Sequence, residues 1–129
     1  MAIDNNMKIL VVDDLPMMRD SIISSLHEIG LKNITQSGDG LEALAELKKS
    51  KFDLLITDWN MPNMDGITLI RMIRSDAELK DMVVMMVTAE SDKDHVVQAI
   101  KVGLTDYIVK PFNAEILQAK IEKHFRGNA

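Results

Sequence analysis

Asp13-Asp14, Asp58, Thr88 and Lys110-Pro111 each stand directly behind a short apolar run: MKILVV, LLIT, VVMMV and YIV respectively. Brought together, they would set three carboxylates beside an ammonium and a hydroxyl. At about 5 Å and an effective dielectric of ~20, each ionised carboxylate pair costs on the order of 3 kcal/mol. A domain with roughly 5–15 kcal/mol of total stability would not keep that repulsion without compensation. Two compensators are available, a bound divalent cation and the ammonium of Lys110. The donors are hard oxygens and few in number, which suits Mg²⁺ with several waters retained better than a dedicated Ca²⁺ cage. Zinc is disfavoured, because His27, His95 and His124 have no paired spacing and the chain has no cysteine.

A carboxylate beside Mg²⁺, a lysine and a hydroxyl can attack phosphorus and carry a covalent phosphoryl group, since the cations neutralise charge developing on the transferred oxygens. Asp58 is read as the acceptor because it stands alone, whereas Asp13 and Asp14 form a pair that can share one cation. Each residue also has a plainer reading: Asp13 or Asp14 as a helix cap, Thr88 as a strand-end hydroxyl, Lys110 as a solvated surface charge. Complementary polar types behind four of five apolar runs favour the chemistry over those readings taken one at a time.

The elements that must position these groups follow from the pattern. Apolar runs alternate with helical periodicity from end to end, predicting five βα units without an internal linker. Strands are expected over Met7 to Val12, Ile34 to Ser37, Phe52 to Thr57, Met82 to Thr88 and Tyr107 to Val109. Their continuous Val/Ile/Leu/Met character predicts burial on both faces, as in a parallel sheet covered by helices. The first helix should start near Pro16 and end before Gly30, with Met18, Ile22, Leu26 and Ile29 inward. Leu41, Leu44 and Leu47 mark the second, with Lys48 and Lys49 at its negative end. Ile67, Ile70 and Ile73 mark the third. Ser91 or Asp92 can cap the fourth, which carries Val96, Val97 and Ile100 and stops at Gly103. Asn113 caps the last, with Leu117, Ile121 and Phe125 inward.

In an open parallel sheet, ligands bind beyond the carboxyl ends of the strands at a topological switch point. With the first strand central and the third beside it, Asp13, Asp14 and Asp58 converge. The flavodoxin-like order 2-1-3-4-5 does this; that order is taken over from known sheets rather than derived from these residues. The expectation is a doubly wound, flavodoxin-like α/β domain with five strands and five helices over residues 7–129, behind a flexible N-terminus of residues 1–6.

Length and charge narrow the function further. A chain of 129 residues is one domain's worth and can bury a core without staples. A net charge of −5 and a pI near 5.1, with no basic cluster on any predicted element, argue against nucleic acid as a partner. The absence of cysteine excludes disulfides and thiolate metal sites. MAIDNNMK does not read as a signal peptide, and no apolar run is long enough to span a bilayer, so a cytoplasmic protein is expected. Of the ten methionines, Met18, Met72, Met85 and Met86 fall at expected core positions, and Met17, Met61 and Met64 near loops.

The ordered set Asp-Asp, Asp, Thr, Tyr, Lys-Pro resembles the receiver domain of two-component response regulators over essentially the whole chain after Asn6. Within that family, VVDD (11–14), TDWNMPNMDG (57–66), MVTAE (86–90) and YIVKPF (107–112) look like the single-domain chemotaxis regulators that bind the flagellar motor switch. The resemblance implies that Asp58 takes a phosphoryl group from a histidine kinase, with Mg²⁺ held by Asp14, Asp58 and the backbone carbonyl of Asn60. It implies that Asp13 acts through metal-bound water and that Lys110 contacts the phosphoryl oxygens. Thr88 would turn toward them and Tyr107 swing inward, beside the small Ala89. Asn60 and Glu90 would line the pocket mouth and tune dephosphorylation, and Lys110-Pro111 would be a cis peptide. A phosphatase is implied as a further partner, and the protein is expected to be a monomer and not an enzyme.

Departures from the chemotaxis type bear on the partner. Leu15-Pro16-Met17 stands where that type has Phe followed by small hydroxyl residues, Asp20 lies in a helix usually more basic, and Asp92 and Asp94 flank Lys93 on the motor-binding surface. A phosphate sink, or a regulator of another kinase complex, is the competing signalling reading. An aspartate-nucleophile phosphatase would want a second acid two residues after Asp58, where Asn60 stands. A flavin or nucleotide binder would want a glycine-rich loop where Asp13-Asp14-Leu15-Pro16 would repel phosphate.

Overall fold

The computed structural model describes residues 4–89 and 92–125. Five strands, β1 (Ile9–Val12), β2 (Ile34–Ser37), β3 (Leu54–Thr57), β4 (Val83–Thr88) and β5 (Asp106–Val109), alternate with five helices. The helices are α1 (Pro16–Glu28), α2 (Gly40–Lys49), α3 (Gly66–Ser75), α4 (Lys93–Lys101) and α5 (Ala114–Phe125). All pairings are parallel and the strand order is β2-β1-β3-β4-β5, as expected. Strand residues alternate between two cores, one on each face of the sheet. Leu10, Val12, Leu55, Val84 and Met86 pack with Ala43, Leu47, Leu69, Ile70, Ile73 and Ala99 from α2, α3 and α4. Ile9, Val11, Leu54, Ile56, Met85, Val87 and Ile108 pack with Ile22, Leu26, Leu117 and Ile121 from α1 and α5. Burial of this kind stabilises by roughly 1.5–3 kcal/mol per large side chain, which is what orders the short strands between helices.

Local chemistry sets where the elements begin. Asp39, Asp65 and Asp92 cap α2, α3 and α4 by accepting from the N–H groups of Glu42, Thr68 and His95, and Asn113 accepts from the Ile116 N–H ahead of α5. α1 has no side-chain cap and starts on Pro16, whose fixed φ suits the first turn. Ser91, the alternative cap for α4, lies outside the described residues. So do residues 1–3 of the expected flexible N-terminus, while Asp4 accepts from the backbone N–H groups of Asn6 and Met7 in a turn.

Several expected boundaries shift for identifiable reasons. β1 and β3 begin at Ile9 and Leu54 rather than Met7 and Phe52, because the Lys8 N–H donates to the Asp53 carboxylate instead of a strand carbonyl. β4 begins at Val83, one residue late, and the Met82 carbonyl is taken by the Arg74 guanidinium. Four expected inward positions are corrected. Leu41, Met72 and Ile100 are exposed, Ile100 at 59%, and so is Val97; the position that α4 buries completely is Ala99. α4 therefore presents apolar side chains outward. Among the described residues, no helix is long and apolar enough to cross a membrane.

At the start of β5, Asp106 ties strand to helix. Its carboxylate accepts from the Tyr107 N–H at 2.8 Å, from Lys120 Nζ at 3.0 Å and contacts His124 Nε2 at 2.8 Å, the last two on α5. Burial pushes this carboxyl up, but the bonds from His124, Lys120 and Tyr107 outweigh it and hold it below its usual 3.8. A lowered carboxyl contributes stability that is present above the unfolded-state value and lost as pH falls through the folded-state value. Asp106→Asn is expected to cost about 1–3 kcal/mol near neutral pH. It should also make the acid loss of stability shallower; urea midpoints measured from acid to neutral pH would be superimposable with those of the parent if the knot contributes nothing.

Candidate functional site

The sheet register delivers the polar residues to one edge. Val12 pairs with Thr57 and Thr88 with Val109, so Asp13, Asp58 and Lys110 each follow the last ladder position of their strands. Their backbone amides continue the ladder: Asp13 N–H to Ser37 O, Asp58 N–H to Val12 O and Lys110 N–H to Thr88 O. The main chain is thus anchored in the sheet while the side chains project past it.

Lys110 Nζ lies 3.1 Å from Asp58 Oδ2 and 3.4 Å from Asp13 Oδ2, bridging two carboxylates whose side chains are 12% and 0% exposed. Of the two compensators expected for the acidic residues, the lysine is the one built into the protein. Asp58 Oδ1 accepts from the Trp59 N–H at 2.6 Å, and Asp13 Oδ1 from the Leu15 N–H at 3.0 Å. Burial pushes the Asp13 carboxyl up from its usual 3.8, opposed by the Leu15 N–H and Lys110 and reinforced by the negative charge of Asp58. Arg19, which the sequence reading passed over, reaches back from α1 to donate to the Asp13 carbonyl at 2.5 Å and to Gln36 Oε1 at 3.1 Å.

Asp14 does not join this bridge. It is exposed and borders an open cleft with Asn60, Met61, Pro62 and Asp65. Among the described residues, no three His, Cys, Asp or Glu side chains form a ready metal-ligand cluster. Asp13 is drawn inward onto Lys110 and the Leu15 amide, and Asp14 lies on the open side. Even so, the donors around the cleft are hard oxygens on short loops with open space beside them, which fits Mg²⁺, an ion that keeps several waters and needs few protein ligands.

Thr88 is buried at the end of β4, Ala89 is exposed just after it, and Tyr107 is half-buried against the core on the α2, α3 and α4 face. Glu90 lies outside the described residues. The Lys110-Pro111 peptide is cis, as expected. Gly66 explains the tightness of the loop after Asp58: its N–H donates to the Trp59 carbonyl at 2.8 Å, and a Cβ there would collide with the Asp58 carbonyl oxygen and lie 2.9 Å from Met86 Cε. Trp59 is buried, and its ring meets that of His95 on α4 edge-on with centroids 4.8 Å apart. His95 is itself held to the Asp92 cap by an Nδ1 contact of 2.6 Å. The residue that follows Asp58 therefore touches the first turn of α4, a contact across 36 residues that no local pattern announces.

This arrangement, an acidic crevice with a lysine bridge at the carboxyl edge of a 2-1-3-4-5 sheet, coincides with a family match: residues 9–122 fit the response regulator receiver domain, and the chain belongs to that family. Members are signalling switches rather than classical enzymes, and two-component signalling, phosphorylation and Mg²⁺ binding are typical of them. More particularly, the chain is similar to chemotaxis proteins. It is 48% identical to chemotaxis protein CheY of Pseudomonas aeruginosa over 119 residues, 92% of this chain and 96% of that one. It is 46% identical to chemotaxis protein CheY-3 of Vibrio cholerae serotype O1 over 123 residues, 95% of each. The structure of V. cholerae CheY4 superposes with a TM-score of 0.84 at 33% identity, covering 92% of this chain and 98% of that one. The receiver domain of the sensor histidine kinase PA1611 of P. aeruginosa, with a magnesium ion coordinated in its active-site cleft, superposes with a TM-score of 0.85 at 25% identity, covering 95% and 99%.

Proposed function

We propose that this chain is a phosphorylation-activated switch in which Asp58 accepts a phosphoryl group from the phosphohistidine of a histidine kinase. The observation that carries the reading is the Lys110 bridge, with Nζ 3.1 Å from Asp58 Oδ2. A carboxylate oxygen of Asp58 forms the new O–P bond while the P–N bond breaks. The electron pair returns to the imidazole nitrogen, which can then take up a proton from solvent. Asp14, Asp58 and the Asn60 carbonyl would hold Mg²⁺, with Asp13 acting through water, and the bound cation would neutralise charge on the transferred oxygens. Lys110 passes from the Asp58 carboxylate to the phosphoryl oxygens, the Thr88 hydroxyl turns toward them past Ala89, and Tyr107 moves from half-buried to buried. Asn60 and Glu90 tune the lifetime of the phosphoryl group.

The output is a change of affinity on the face of α4, β5 and α5, where Val97, Ile100, Val109 and Ile116 are exposed. The similarity to chemotaxis proteins favours the flagellar motor switch as the partner, in the cytoplasm and with the protein as a monomer, a phosphatase resetting it. A phosphate sink is the second reading, favoured by the acidic Asp92 and Asp94 beside Lys93 at the start of α4. Acetyl phosphate with Mg²⁺ is expected to change the emission of Trp59, the only tryptophan. Binding to a motor-switch peptide, measured with and without that treatment, should tighten; unchanged affinity would leave the sink reading, and an unchanged emission would remove both.

A further inference from the structure

The loop from Asp58 to Asp65 carries both the acceptor and Asn60, and it is held in place by the start of α2. Asp39 uses its two carboxylate oxygens for different tasks. Oδ1 accepts from the Glu42 N–H at 2.9 Å as the helix cap, and Oδ2 accepts from Asn63 Nδ2 at 2.7 Å. Beside this bond, the Gly40 N–H donates to the Met64 carbonyl at 3.2 Å. A Cβ at Gly40 would lie 2.8 Å from Met64 Cβ, so the helix start and the loop approach closer than any other residue permits. Asn63 itself has φ 66°, the one positive value outside glycine among the described residues. Asparagine tolerates that region, and here its amide is then aimed at Asp39. Two hydrogen bonds, a close backbone contact and a left-handed residue therefore converge on one tie, made across 24 residues of sequence.

We propose that Asp39 is a positioning residue of the phosphoacceptor site: through Asn63 it fixes the loop that presents Asp58 and Asn60. Asp39 touches neither the metal position nor the reacting atoms. Its effect is on how well the loop is preorganised for Mg²⁺ and phosphoryl transfer, because a loop free to shift by a fraction of an ångström loses the alignment that such chemistry needs. The inference rests on the reading of Asp58 as the acceptor.

Side-chain chemistry allows the tie to be separated from the cap. Asp39→Asn keeps an oxygen for the Glu42 N–H, and asparagine caps helices as well as aspartate does. Its amide nitrogen then meets Asn63, whose amide can turn to offer Oδ1, so a neutral hydrogen bond replaces the charge-assisted one. Asn63→Asp sets two carboxylates against each other instead. The exchange of both, Asp39→Asn with Asn63→Asp, restores one donor and one acceptor with their direction reversed and the net charge unchanged. Mg²⁺ affinity read from Trp59 emission, and phosphoryl uptake from acetyl phosphate, would be measured on the full chain alongside urea unfolding. Asn63→Asp is expected to weaken Mg²⁺ binding and slow uptake by about five-fold and Asp39→Asn by less, the exchange recovering to within about two-fold of the parent. The recovery should appear in affinity and rate whatever the unfolding midpoints do, which a purely structural role would not produce. An Asn63→Asp variant that matches the parent, or an exchange in which the two losses simply add, would overturn the proposal. If the parent protein shows neither a Mg²⁺ response nor uptake, the acceptor reading itself falls and this inference with it, which distinguishes the two failures.

Discussion

Asp58→Asn is expected to abolish the phosphodonor-dependent change in Trp59 emission, slowing phosphoryl uptake by at least about a thousand-fold, the scale on which loss of a covalent nucleophile is felt. The amide oxygen can still accept from the Trp59 N–H, which now bonds Asp58 Oδ1 at 2.6 Å, so the turn after β3 is retained. The amide nitrogen would face Lys110 Nζ, but that ammonium keeps its contact with Asp13 Oδ2 at 3.4 Å. The variant should therefore fold, and its failure would be chemical. Persistence of a normal response would mean that another carboxylate, Asp13 or Asp14, takes the phosphoryl group.

Lys110→Ala is expected to give the largest loss of stability at neutral pH in the absence of divalent cations, about 3–5 kcal/mol, because it leaves a fully buried carboxylate and its neighbour without their shared counter-charge. The fold's escape is to protonate Asp13, whose carboxyl burial already pushes up. Removing Lys110 raises the folded-state value further, so the sign runs opposite to that at Asp106. The deficit is full above the raised folded-state value and shrinks as pH falls through it toward the unfolded-state value. Added Mg²⁺ should restore more stability to this variant than to the parent, since the cation replaces the missing charge. Urea unfolding at several pH values, with and without Mg²⁺, checks both statements; a variant as stable as the parent at neutral pH would mean that the bridge compensates nothing.

Much of the scaffold was legible in the sequence because its signals are local. Strands buried on both faces read as continuous apolar runs, α1 and α4 stop ahead of Gly30 and Gly103, and Asp92 and Asn113 cap as expected. Strand starts were less legible, since Lys8 and Met82 spend backbone groups on the side chains of Asp53 and Arg74. The faces of α4 were misjudged for a different reason: Val97 and Ile100 have core-like chemistry, yet small Ala99 is what the neighbouring elements leave room for. At the site, residue types at strand ends marked groups that the sheet gathers at one edge, but not how they pair. Lys110 and Asp13 are 97 residues apart, and only the sheet order shows that the lysine takes Asp13 inward while Asp14 stays at the cleft. Asp39 and Asn63 were missed because each looks like ordinary turn chemistry until the fold sets them 2.7 Å apart. An Asp-Gly at the head of a helix and an Asn behind a proline were the available signals.

The central claim is that the Asp58 carboxylate, gripped by Lys110 and the Trp59 amide, is the atom group that receives phosphorus. Mapping the covalent product after incubation of the parent protein with acetyl phosphate and Mg²⁺ tests it most directly. A single phosphoryl group on Asp58, dependent on Mg²⁺, is the predicted result; a phosphoryl group on Asp13, Asp14 or a hydroxyl residue, or none at all, would contradict it.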